Sequence, residues 1–299
     1  MPDRSSIMVT MNRLSPEKRA HVVGCLVEGM SIRGTVRATG VAKNTITKLL
    51  VDLGDACSYA ANELIVDVPA ERVQCDEIWS FCYSKQKNVP ADREGEFGVG
   101  DVWTWTAIDA DTKLVISWLV ADRSGAAAHT LIGDLAFRVN RRMQITTDGL
   151  AVYATAVENT LHGDVDFAML HKLYDAPAGQ GNERRYSPAV CSGIDIKKVS
   201  GDPDPAHIST SYVERQNVTM RMSMRRFTRL TNGFSKKVEN LAAAMSLHFV
   251  YYNFVRPHMT LTKAANGGHK TTPAMAAGIA DRVWTLDDLV ALLDYRLPK

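Results

Sequence analysis

The run Val73-Gln-Cys-Asp-Glu-Ile-Trp-Ser-Phe-Cys82 constrains this chain more than any other segment. Its β-branched and aromatic side chains predict a strand over Val73–Tyr83, yet Asp76 stands in its middle. Side chains alternate faces along a strand. Gln74, Asp76, Ile78 and Ser80 therefore share one face, and Val73, Cys75, Glu77, Trp79 and Phe81 the other. A buried carboxylate without a partner costs several kcal/mol. Either this strand is an edge strand with Asp76 in water, or the fold brings Asp76 a compensating partner. Glu77 points away from Asp76 on this argument and is the weaker candidate.

Two further acids stand in telling positions. Asp148 ends a short strand, Met143–Thr147, just before Gly149 and a helix. An aspartate there is also a good helix N-cap, and the carboxyl ends of strands are where α/β sheets build sites. Glu214 opens a helix rich in arginine: Arg215, Arg221, Arg225, Arg226 and Arg229 follow it. Ser211-Tyr-Val-Glu214 also fits a capping box. Read as one helix over Thr210–Arg229, the segment puts Glu214, Arg221 and Arg225 on one face, which suits metal at one end and phosphates along the rest. A solvated basic helix is the plainer account. Three carboxylates together suit divalent cations, the usual device for cutting and joining phosphodiesters.

Other strands are predicted at Val102–Ile108, Leu114–Ala121 and Val165–Leu170, with a hairpin turn at Asp109–Thr112. Helices are predicted at Ala126–Val139, Leu150–Leu161 and Lys236–Phe254, and a final one near Leu286–Leu293. Tyr174–His207, rich in Gly, Pro and charge, reads as a long irregular stretch. The pattern implies an α/β fold, a mixed sheet flanked by helices.

Ahead of it, Leu14–Leu53 reads as three short helices. Ser15 with Pro16 and Ser31 supply starts, and Gly29, Gly40 and Gly54 supply stops. This spacing predicts an N-terminal all-α helix-turn-helix domain, whose last helix would offer Lys43, Asn44, Thr45, Thr47 and Lys48 to DNA. A three-helix bundle that binds protein, or nothing, has the same outline. The expected domains are 1–54, a linker at 55–71, the α/β domain at 72–258 and a helical tail at 259–299.

Composition narrows the classes. Of 299 residues, 45% are hydrophobic and 23% charged, an ordinary globular balance, and the net charge of +2 does not by itself point to nucleic acid. The five scattered cysteines form no C-x-x-C pair, which argues against structural zinc and fits a reducing compartment. Met1–Asn12 lacks the apolar core of a signal peptide, and no apolar run is long enough to span a bilayer. No P-loop, Gly-rich dinucleotide turn or Ser-His-Asp spacing is present.

Asp76 in Gln-Cys-Asp-Glu-Ile-Trp-Ser-Phe, Asp148 in Thr-Thr-Asp-Gly and Glu214 in Ser-Tyr-Val-Glu-Arg-Gln-Asn resemble the catalytic triad of DDE transposases, most nearly the group of bacterial insertion sequence one. The stretch Ser209–Asn253 carries the most specific similarity, and Arg221 falls where such enzymes often carry a basic residue. The resemblance covers about Arg72–Asn253. It implies an RNase H-like fold, with the first acid on the first strand, the second at the end of the fourth and the third on a later helix. It implies a transposase that binds the ends of an insertion sequence, cuts there and joins them to target DNA. Asp76, Asp148 and Glu214 would be catalytic and would hold two Mg²⁺ ions about 4 Å apart, with Mn²⁺ as a substitute. Arg215, Asn217, Arg221 and Arg225 would contact DNA phosphates. The partners implied are double-stranded DNA, as element ends and target, and further copies of the chain in a dimer or larger assembly; no membrane is involved. The setting implied is the bacterial cytoplasm, on the nucleoid. Some relatives carry an N-terminal cysteine-rich zinc element that this chain lacks. The alternative is a catalytically silent helix-turn-helix regulator on the same fold.

Overall fold

The structure is a computed structural model that describes residues 13–175, 191–228 and 232–294. The chain divides into two compact units. One is α/β, Ile65–Thr219; the other is helical, made of the chain up to Leu64 together with the chain from Met220 onward.

The α/β unit is built on a six-stranded mixed sheet in the order β3-β2-β1-β4-β5-β6. The strands are β1 (Arg72–Cys82), β2 (Gly100–Asp109), β3 (Val115–Ala121), β4 (Gln144–Thr147), β5 (Asp166–Tyr174) and β6 (Cys191–Ser200). β1 pairs antiparallel with β2, and β2 antiparallel with β3. β4 runs parallel to both β1 and β5, and β6 closes the sheet antiparallel to β5. The hairpin between β2 and β3 forms as expected, because Asp109 accepts hydrogen bonds from the backbone N–H of Asp111 (3.0 Å) and the hydroxyl of Thr112 (2.5 Å). Helices α4 (Gly125–Arg138, capped by Ser124) and α5 (Val152–Leu161) are the parallel-strand crossovers. Trp105, Ile108, Ile116, Tyr153 and Phe167 are fully buried at the centre.

β1 is therefore paired on both sides as far as Cys75 and on the β2 side alone from Asp76 onward, where Asp76 is half-buried and not free in water. The irregular stretch expected over Tyr174–His207 is corrected in part. Cys191–Ser200 forms a strand that hydrophobic alternation missed, because most of its side chains face solvent; residues 176–190 lie outside the described residues.

In the helical unit, α1 (Pro16–Val27) and α2 (Ile32–Thr39) start on Ser15 and Ser31, whose hydroxyls accept from Lys18 N and Gly34 N. Gly40 ends α2 with φ 67°, the left-handed conformation glycine adopts freely. The third helix does not stop at Gly54: α3 runs from Lys43 to Leu64. Gly54 is buried, and a Cβ on it would lie 2.4 Å from the carbonyl oxygen of Ala243. The glycine is a close-approach point between α3 and α7 (Val238–Val250), not a terminator. Nor is the C-terminal part a separate tail. After the short helices α8 (Met259–Ala264) and α9 (Pro273–Ala276), α10 (Leu286–Ala291) packs on α1, where a Cβ at Gly24 would meet Leu286 Cδ1 at 3.1 Å. Ile46, Leu50, Leu53, Phe249 and Phe254 form its buried core.

α6 (Ser211–Ser223) carries the boundary between the units, after Thr219. It is shorter than the sequence predicts. Met224 takes an extended backbone, and a 3₁₀ turn follows at Arg225–Phe227 that buries Phe227. Arg225 is therefore off the helix and does not share a helical face with Glu214; Arg229 lies outside the described residues.

Candidate active site

The site starts from a difference in strand length. β1 has 11 residues, β4 only 4. Their pairing ends at Cys75 opposite Thr147, while β1 continues against β2 to Cys82. From Asp76 onward β1 has a neighbour on one side alone, and Asp148 follows directly where β4 stops. Asp148 is not the N-cap of α5, which begins at Val152; its Oδ1 accepts from Leu150 N at 3.0 Å in a turn of its own.

The open edge brings three carboxylates together. One oxygen each of Asp76, Glu77 and Asp148 lies within 4.8 Å of the others. Alternation does place Asp76 and Glu77 on opposite faces, but past the end of β4 no strand separates those faces. Glu77 is buried on the side of α5. Its Oε1 accepts from Arg123 Nε and Nη2 at 2.9 and 2.6 Å, and its Oε2 from the Tyr153 hydroxyl at 3.2 Å. Tyr153 stands edge-on to Trp105, the cross-strand partner of Glu77, with ring centroids 5.5 Å apart.

On the opposite face α6 lies over Asp76. Gln74 fixes it there: its Oε1 accepts from the backbone N–H groups of Tyr212 (2.8 Å) and Val213 (3.2 Å). The first turn of a helix leaves such groups unpaired, so Gln74, on the face of Asp76, sets the register of the helix above it. That register brings Asn217 Nδ2 to 2.7 Å from Asp76 Oδ2. Expected among the phosphate contacts, Asn217 is instead 7% exposed and engaged with Asp76. Glu214, half-buried and one turn earlier, belongs to neither the close cluster nor a capping box. Its Oε1 accepts from the Thr210 hydroxyl at 2.6 Å and pairs with Lys172 Nζ.

Crowding and burial dominate the electrostatics. Burial first, then the charges of Asp148 and Glu77, push the Asp76 carboxyl up to about 7; Glu214 adds to the effect. Burial and Asp148 push Glu77 up to about 7 as well, against the pull of Arg123 and Tyr153.

Of the remaining candidates, Arg215 is exposed on α6, Arg221 is half-exposed near its end and Arg225 is exposed in the turn beyond. Lys43, Asn44, Thr45 and Lys48 are exposed and Thr47 half-exposed along the start of α3; Lys48 is paired with Asp52 at 2.6 Å. His207 stands beside Arg72, at the first residue of β1 and not at the acids. Sequence reasoning missed Gln74, Lys172, Arg123 and Tyr153 because each acts through a contact far along the chain. It set Glu77 aside on alternation alone; the signal available was the mismatch between a long first strand and a short fourth.

The donor set is all oxygen, which suits a hard divalent cation. Among the described residues, two buried polar atoms beside Asp76 lack a partner: Asn217 Oδ1 and the hydroxyl of Thr106, which pairs with Asp76 across β1 and β2. Buried polar groups are normally satisfied, so the residues present fit an ion that carries its own water.

No protein-family model matches this chain, and no curated protein does. Solved structures give distant similarities. One is the piggyBac transposase synaptic complex with hairpin DNA, at 9% identity and a TM-score of 0.40, covering 97% of this chain and 74% of that one. Others are the Mos1 transposase paired-end complex with the left transposon end, at 12% identity, and the Mos1 strand transfer complex, at 13%. Both have a TM-score of 0.23 and cover 52% of this chain and 59% of theirs.

Proposed function

We propose that this protein is a DNA transposase on an RNase H-like scaffold, which binds the ends of an insertion sequence, cleaves there with Mg²⁺ and joins those ends to target DNA. The observation that supports the reading is the meeting of Asp76 and Asp148, from residues far apart in the chain, at the carboxyl end of the short central β4, with Glu214 close enough for its charge to act on Asp76.

In this reading Asp76 and Asp148 hold Mg²⁺, or Mn²⁺ in its place, and Glu214 is the third catalytic acid. Bound divalent ions would supply an activated oxygen nucleophile and charge stabilisation at the leaving oxygen. The chain's own residues do the rest. Gln74 and Asn217 keep α6 in register over Asp76. Lys172 pairs with Glu214 and would have to release it for Glu214 to serve as a ligand. Arg215, Arg221 and Arg225 offer positive charge to phosphates. Lys43, Asn44, Thr45, Thr47 and Lys48 read the terminal repeat from a helix-turn-helix. Because two ends are handled together, the working form is a dimer or larger assembly on DNA, in a bacterial cytoplasm.

The test uses DNA carrying the element's inverted repeats. Gel shift without metal, nicking with Mg²⁺ and strand transfer into a plasmid should all be positive for the wild-type chain. End binding with neither nicking nor joining would leave the silent regulator; nicking without joining would point to another nuclease on the same scaffold.

A further inference from the structure

We propose that Glu77 is a ligand of a divalent cation held between Asp76 and Asp148, with the Asn217 carbonyl oriented toward a water on that ion. This rests on the reading of the acidic centre as a metal site and adds a carboxylate outside the set Asp76, Asp148 and Glu214.

Spacing is the first argument. Oxygens bound to one ion at about 2.0–2.6 Å lie no more than about twice that from each other. The oxygens of Asp76, Glu77 and Asp148 fall within 4.8 Å, and among the described residues these three form the set that does so. Glu214 is outside it, engaged by Lys172 and Thr210.

Rigidity is the second. The Glu77 side chain is 1% exposed and fixed through both oxygens, by Arg123 and Tyr153. Arg123 in turn lies over the ring of Trp103 at 4.5 Å. Outer partners that orient a ligand in this way are a regular feature of metal sites.

An ion pair with Arg123 alone would account for Glu77. It would not account for Asn217. That amide is 93% buried by its 7% exposure, spends its nitrogen on Asp76 and leaves Oδ1 unpartnered. An orphan acceptor on the amide head that touches the cluster is costly unless a donor arrives with the ligand. Water on a bound cation is such a donor.

The experiment is Mn²⁺ uptake by the full-length chain without DNA, followed by electron paramagnetic resonance of free Mn²⁺ and by the thermal shift Mn²⁺ produces. Asp76→Asn and Glu77→Gln should each weaken uptake about tenfold or more, the range seen when groups ordering a metal site are removed. Glu77→Asp keeps the charge and withdraws the oxygen by one methylene; it should also lose uptake, and it carries the test if the Gln variant does not fold. Wild-type uptake in both Glu77 variants, with Asp76→Asn defective, overturns the role of Glu77 and leaves the proposed function standing. Uptake unaffected by Asp76→Asn, or absent from the wild-type protein, overturns both.

Discussion

Asp76 and Gly54 each sit mid-way along a long element, covered by neighbours, yet they answer to different forces. At Gly54 the force is contact distance: α3 and α7 approach so closely that a single methyl group would strike the Ala243 backbone. At Asp76 the force is charge: a central strand carries a carboxylate beside two more, and burial pushes it toward its neutral form. Close packing makes the helical unit sensitive to volume. A crowd of carboxylates makes the α/β unit sensitive to protons and cations at nearly constant shape.

The comparison can be broken at either end. Asp76→Asn is nearly isosteric, so it should abolish Mg²⁺-dependent cutting while end binding by gel shift stays close to wild type. Loss of binding instead would mean that Asp76 shapes the fold. Gly54→Ala should lower stability by about 1–3 kcal/mol through overpacking, read as a drop in melting temperature, with Mn²⁺ uptake by the surviving folded protein unchanged.

A pH series sharpens the contrast. The Asp76 carboxyl rises from 3.8 to about 7 on folding, so between those values the folded state binds the extra proton. Stability is then present at low pH and lost as pH rises through the folded value. The metal-free protein should melt at a lower temperature at about pH 8 than at about pH 5, and Mg²⁺ should restore more at the higher pH, where it meets ionised carboxylates. A flat profile would mean that the three acids are already compensated from within. The smallest effect concerns the helical unit's surface. Lys43→Ala should reduce the salt dependence of end binding by about one unit of slope. Lys48→Ala should reduce it by less, because Asp52 already shares that charge. Slopes unchanged from wild type in both variants would remove the lysines of α3 from the DNA interface.

Much of the sheet was legible because its signals are local. β1 to β5 form where alternation and β-branched content predict them, and the Asp109 turn follows from side chains within three residues. What stayed hidden depends on distant partners. Gly54 carries the same letter whether it ends a helix or admits another one. β6 gives no apolar rhythm because its side chains are mostly exposed. The end of α6 at Ser223 follows from burying Met224 and Phe227, not from any breaker residue. At the site, the positions of Asp76 and Asp148 could be anticipated strand by strand. The approach of Glu77 was passed over, because it shows only in the mismatch between a long β1 and a short β4 and not in the alternation along β1.

Gln74 deserves a geneticist's suspicion. It is uncharged and holds two backbone groups of a helix that begins 137 residues further on. Yet a Leu in its place would leave the start of α6 untethered, and with it the amide that steadies Asp76. Screened by loss of the proposed activity alone, such an allele would be scored as a lesion in the chemistry, when the fault lies in the scaffolding that aims it.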